Sequence, residues 1–142
     1  ATVIVSVSSN EVAVGGNITV SVSSDDTVQY RKYLDMVMGT ATLGAVTILP
    51  AAGDAATTAD YSVAGSYYDL ELVAADFSTD PVAGVHFTVV ATATGVIGET
   101  FTLELLNGDT YALEDSEIVT IIPEPVTMAL LGLGGLFFRR KK

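Results

Sequence analysis

The side chains that could do chemistry in this chain are few. His86 is the only histidine and there is no cysteine, so nucleophile–base pairs built on thiols, and metal sites built on His and Cys, are excluded. No Gly-x-Ser-x-Gly elbow and no His-Glu-x-x-His pair occurs. Carboxylates are abundant enough to pair, as in Glu99 with Glu104 or Asp69 with Glu71, and a hydrolase could use such a pair. Their alternation with apolar residues reads instead as solvated strand faces, and His86 falls in the same phase, on the expected outer face. The expected protein is therefore not an enzyme and has no catalytic residues. Calcium is the one cofactor the residues suggest. Asp25-Asp26, Asp76 with Asp80, and Asn107-Gly108-Asp109 cluster oxygens in turn-like stretches, although none follows the EF-hand spacing and the same residues serve turns without any metal. No residue is assigned as a metal ligand.

The second chemistry-bearing group lies at the C-terminus. Pro123, Glu124 and Pro125 are followed by 13 uncharged residues, Val126 to Phe138, among them Met128, Leu130, Leu131, Leu133, Leu136 and Phe137. Arg139, Arg140, Lys141 and Lys142 come last. As a helix the apolar run would reach about 20 Å, short of the ~30 Å hydrocarbon core. A basic cluster directly after it is what a membrane-inserted segment uses to fix a cytoplasmic end, and snorkelling or local thinning can absorb the missing length. A helix docked on its own domain would show one polar face, and this run has none.

The charge follows the same division. The net charge is −11 over 142 residues. Before Pro123 the only cations are Arg31 and Lys32, whereas every acid but Glu124 lies there. So acidic a body repels phosphate backbones, which excludes nucleic acid as a partner. The numbering opens at Ala1 without an initiator Met, which fits removal of a signal peptide after a small residue.

The elements that must carry these groups are strands. Val3, Val5 and Val7 share one face of TVIVSVS, and Ile18, Val20 and Val22 share one face of NITVSVS. The two stretches are near repeats, VIVSVSSN and ITVSVSSD, with starts 15 residues apart. Tyr30, Leu34 and Met36 alternate with Arg31, Tyr33 and Asp35; Leu70 and Leu72 with Asp69 and Glu71; Val85, Phe87 and Val89 with His86 and Thr88; Phe101, Leu103 and Leu105 with Thr102 and Glu104. SEIVTII closes the body, and the prolines stop the last strand at Ile122. SSDD, GTATLG, PAAGDAATTAD, STDPVAG, GVIG and NGD supply turns, with GDAATTAD the expected long loop. Seven to nine short strands with one apolar face each predict an all-β, two-sheet antiparallel sandwich over 1–122. Its expected core is Val20, Val22, Leu34, Leu70, Leu72, Phe87, Val89, Phe101 and Leu103. A linker, 123–125, and a helical tail, 126–142, follow.

Two stretches resemble known families. VAVGGNITVSVSS, QYRKYLDMVMG and AGVHFTVVATATGVIGETFTLEL are similar to the scheme of cohesin-like sandwich modules: strand, VG turn, strand, and a final strand–turn–strand unit. The third strand departs from it, reading LDMVMG where the family ends on tyrosine–aspartate, so the resemblance implies the fold and not a dockerin partner. Pro123 to Lys142, with Pro-Glu-Pro, apolar helix and basic end in that order, resembles the PEP-CTERM sorting signal of Gram-negative bacteria. That resemblance implies an exported protein held transiently in the inner membrane, processed near Pro123-Glu124-Pro125 by an exosortase, and passed to the envelope, cell surface or extracellular matrix.

The body then belongs to one of three classes. The first expected is a structural or adhesive surface protein of a biofilm matrix. The second is a carbohydrate- or protein-binding module, for which Tyr30, Tyr33, Tyr61, Tyr67 and Tyr68 could form an aromatic platform against a surface polysaccharide. The third is a filament subunit, in which uncharged ATVIVSVSS adds to the sheet edge of a neighbouring copy.

Overall fold

A computed structural model describes residues 2–25, 30–37, 40–53, 62–64, 67–74, 81–125 and 130–135. Ten strands are present among them: β1 Val3–Val7, β2 Glu11–Ala13, β3 Asn17–Ser24, β4 Tyr30–Val37, β5 Ala41–Ile48, β6 Ser62–Ala64, β7 Tyr67–Ala74, β8 Gly84–Ala93, β9 Thr100–Asn107 and β10 Leu113–Ile122. They form a four-stranded sheet in the order β1-β3-β8-β5 and a six-stranded sheet in the order β2-β10-β9-β4-β7-β6. The protein is an all-β sandwich of two sheets, as alternation predicts. The count exceeds nine because β2 and β6 have three residues each, too short to show a period.

All nine expected core residues are buried, joined by Val3, Val5, Ile18, Met36, Leu105, Val119 and Ile121. The near-repeat strands pair with each other: β1 runs antiparallel to β3, Val5 opposite Val22. After Val7 the chain crosses to the other sheet, where β2 lies parallel to β10, Val12 opposite Ile121. This pair departs from the purely antiparallel expectation. One N-terminal segment serves both sheets and closes that side of the sandwich.

β1 is an edge strand. Its free side is guarded: the Val5 amide donates to Oδ2 of Asp115, which reaches across from β10 at 2.9 Å. An inward-directed charge of this kind blunts an edge against further strand pairing. At the other end of β10, pairing stops at Ile122, immediately before Pro123.

Residues 130–135 are helical, and Leu130, Leu131 and Leu133 are exposed, so this turn is not packed on the sandwich. Among the described residues no helix is long and apolar enough to cross a membrane. Val126, Met128, Leu136, Phe137, Phe138 and the cations Arg139, Arg140, Lys141 and Lys142 lie outside the described residues, as does most of GDAATTAD.

Candidate functional site: the outer side of the six-stranded sheet

β4 is the central strand of this site, and its alternation decides what faces where. Leu34 and Met36 point into the core, so Arg31, Tyr33, Asp35 and Val37 point outward. Arg31 holds Glu71 of β7 through Nε at 2.7 Å and donates from Nη2 to the Tyr33 hydroxyl at 2.7 Å. Its guanidinium carbon lies 5.4 Å from the centre of the Tyr33 ring. Tyr111, from the turn after β9, stacks on Tyr33 with centroids 5.3 Å apart. Burial, the Tyr111 hydrogen bond and the negative field of Glu71 push the Tyr33 hydroxyl above its ordinary range, although Arg31 opposes them. The Tyr33 hydroxyl therefore remains neutral at physiological pH. The result is a flat aromatic pair with a fixed cation and a carboxylate beside it.

The turn that delivers Tyr111 is built by Asn107. Its side-chain carbonyl accepts the amides of Asp109 and Thr110, and its backbone carbonyl accepts that of Tyr111. Tyr111 itself sits at φ 58°, the left-handed region. Gly108 donates to the Arg31 carbonyl at 2.9 Å, and a Cβ there would fall 2.5 Å from that oxygen. Only glycine permits the approach that brings Tyr111 to Tyr33.

Beneath the cluster Lys32 breaks the apolar phase of β4. It points inward at the end of the sandwich, where Nζ lies 2.8 Å from Oε1 and 2.6 Å from Oε2 of Glu114. The Asn107 amide donates to the same carboxylate at 3.0 Å. Burial raises the Glu114 pKa, but the hydrogen bonds from Lys32 and Asn107 and the charge of Lys32 outweigh it, leaving the group below its ordinary value. Alternation passes over Lys32 because it shares its phase with Leu34; its pairing with a distant Glu has no local signal.

His86 is not on the outer face, as its phase predicts, but fully buried. β8 carries a bulge: Val22 pairs with Phe87 while Ser23 pairs with Val85, leaving His86 as the extra residue. The phase therefore flips, His86 and Phe87 both turn inward, and Val85 turns outward. The Val82 carbonyl, 2.6 Å from Nε2, can only accept, so the proton sits on Nε2, and Nδ1 accepts from the Tyr30 hydroxyl at 2.7 Å. Tyr30 stacks on His86 and meets Phe87 edge-on. Tyr30 is thus a core-lining latch and not part of an exposed platform. Of the other tyrosines expected there, Tyr61 and the side chains of Tyr67 and Tyr68 lie outside the described residues. Tyr111 takes their place beside Tyr33.

Of the expected oxygen clusters, Asp25 and Asn107 bind backbone amides. Asp25 accepts the Thr2 amide, and Asn107 organises its own turn; Asp26, Asp76 and Asp80 lie outside the described residues. Among the described residues no three His, Asp or Glu side chains are placed to hold a metal ion. Glu99 accepts the Val96 amide in a loop, while Glu104 stands opposite Asp35 on the outer side of the sheet, so the two carboxylates do not form a pair.

No family model matches the chain, and no curated protein matches it in sequence. Solved structures do. The cohesin of a type I cohesin–dockerin complex from Clostridium thermocellum superposes with a TM-score of 0.56 at 13% identity, over 86% of this chain and 100% of that one. The solution structure of CaCohA2 from Clostridium acetobutylicum gives 0.55 at 11% identity, covering 85% and 91%. A non-cellulosomal cohesin from the hyperthermophilic archaeon Archaeoglobus fulgidus gives 0.52 at 15%, covering 91% and 97%. The fold of this chain is that of the cohesin-like β-sandwiches.

Proposed function

We propose that this chain is a non-enzymatic protein-binding module, exported to the cell surface or extracellular matrix, where it acts as a structural or adhesive component. One observation carries the reading: on the outer side of the six-stranded sheet of a cohesin-like sandwich, Arg31, Tyr33 and the exposed Tyr111 form an aromatic–cation cluster. Tyrosine and arginine are the residues that most often anchor protein interfaces, because they bury large area at small entropic cost. The cohesin above was solved in complex with a dockerin; the partner here is a protein of the cell envelope. The tail, from Pro123 onward, is an address of PEP-CTERM type. It holds the exported protein transiently in the inner membrane until an exosortase cuts near Pro123-Glu124-Pro125.

The full-length protein, cross-linked on living cells, should capture one dominant envelope protein. Replacing Tyr33 and Tyr111 together by Ser should reduce that capture at least about tenfold, the loss of two anchors at 1–2 kcal/mol each. Equal capture by the double variant, with its fold intact, overturns the assignment of this face. Removing 123–142 should leave recognition unchanged and alter where the protein is found.

A further inference from the structure

Formal charge is segregated between the two sheets. β1, β3, β5 and β8 contain no Asp, Glu, Lys or Arg, in a protein of net charge −11. The other sheet carries Arg31, Lys32, Asp35, Glu71 and Glu104 within its central strands. The outward positions of the uncharged sheet hold small or β-branched side chains in register. Ser21, Thr88 and Thr47 stand side by side across β3, β8 and β5, and Thr19 stands beside Val90. Ile4, Ser23 and Val85 form another row, at a shallow groove of about 350 Å³. Ile4 and Val90 are each 43% exposed and Val85 39%, so apolar surface lies open there. The bulge at His86 is what turns Val85 outward. Among the described residues at the groove's rim, the carboxylate of Asp25 accepts the Thr2 amide.

We infer that this face pairs with the same face of a second copy of the chain. Charge selects the occupant. Between two chains of net charge −11, contact elsewhere sets carboxylates against carboxylates, whereas two uncharged faces meet without that repulsion. A charged partner would gain nothing here and would be steered to the other sheet. A polysaccharide would need aromatic platforms, and the only aromatic rings in these four strands, His86 and Phe87, are both buried. Edge addition is opposed by Asp115, which occupies the Val5 amide on the β1 edge. The area sets the strength. Four strands about 4.8 Å apart and roughly eight residues long make a face of about 500 Å². Two such faces bury about 1,000 Å², the lower bound for a specific interface, so the pair is weak and concentration-dependent.

Sedimentation of the full chain from low micromolar to near-millimolar concentration should show a reversible monomer–dimer equilibrium, strengthened by salt as residual repulsion is screened. Val90→Lys should weaken it at least about tenfold, and Thr47→Lys is a second variant at another exposed position. The chain lacks cysteine, so Ser21→Cys gives an independent readout: oxidation should yield a covalent dimer, whereas Ser116→Cys, on the opposite sheet, should not. A wild-type chain that stays monomeric overturns the inference. So does pairing that survives both lysine variants, as it would if the tail or the β1 edge held the copies together, or equal cross-linking through Ser116→Cys.

Discussion

Tyr30 donates its hydroxyl hydrogen to His86 Nδ1, and burial pushes its own ionisation above the ordinary tyrosine value of 10. Its removal would leave a fully buried ring nitrogen without a donor, at a cost of about 1–3 kcal/mol. Tyr30→Phe should lower the denaturation midpoint accordingly with an unchanged m-value; an unaffected midpoint would show that the latch contributes nothing. Glu114 is a second residue whose worth can be read from outside. Its folded pKa lies below the ordinary 4.5, so its stabilisation is present above that value and is lost as pH falls through the folded pKa. Glu114→Gln should destabilise by about 1 kcal/mol at pH 7, a partly exposed ion pair being worth no more. The gap to wild type should close as pH falls through the folded pKa, below which Glu114 is protonated in both states. A gap that stays constant down to pH 3 would mean that shape and not charge is at work.

At the scale of elements, β1 shows how an exposed strand is kept at home. Its sequence is apolar and uncharged, which suits addition to another sheet as well as to its own. β3 takes one side and Asp115 the other. Asp115→Ala should free the edge, giving time-dependent light scattering at concentrations where wild type stays clear, and a synthetic ATVIVSVSS peptide should suppress it by capping the edge. Equal clarity of both proteins would show that the crossing into β2 protects the edge without Asp115. The β9–β10 turn makes a related point. It is held by Asn107 and by the contact of Gly108 with β4, so Gly108→Ala should cost about 1–3 kcal/mol and also separate Tyr111 from Tyr33.

For the whole molecule the governing quantity is charge. A net −11, with only Arg31 and Lys32 to offset the acids of the body, makes compaction work against self-repulsion. Raising the ionic strength from about 10 mM to about 150 mM shortens the Debye length from roughly 30 to 8 Å, so the melting temperature should rise. A fall would mean that the pairs Arg31–Glu71 and Lys32–Glu114 outweigh the repulsion.

Period-two alternation in β3, β4, β7 and β9 was enough to place Val20, Leu34, Leu72 and Leu103 in the core, because a strand's phase is a local property written in consecutive residues. Pro123 likewise marked the end of β10, since the missing donor and fixed φ act on the spot. Three things were not legible. The bulge at His86 turns on one extra residue measured against β3, a strand more than sixty positions away in the chain, and nothing in GVHFTV announces it. Lys32 is tolerated inside only because Glu114 and Asn107 arrive there from other strands. Tyr111 joins Tyr33 only because a turn closes on β4 through Gly108. Each depends on register between distant strands. The energy that selects a register is shared by all the contacts of both sheets, so no short stretch of sequence carries it.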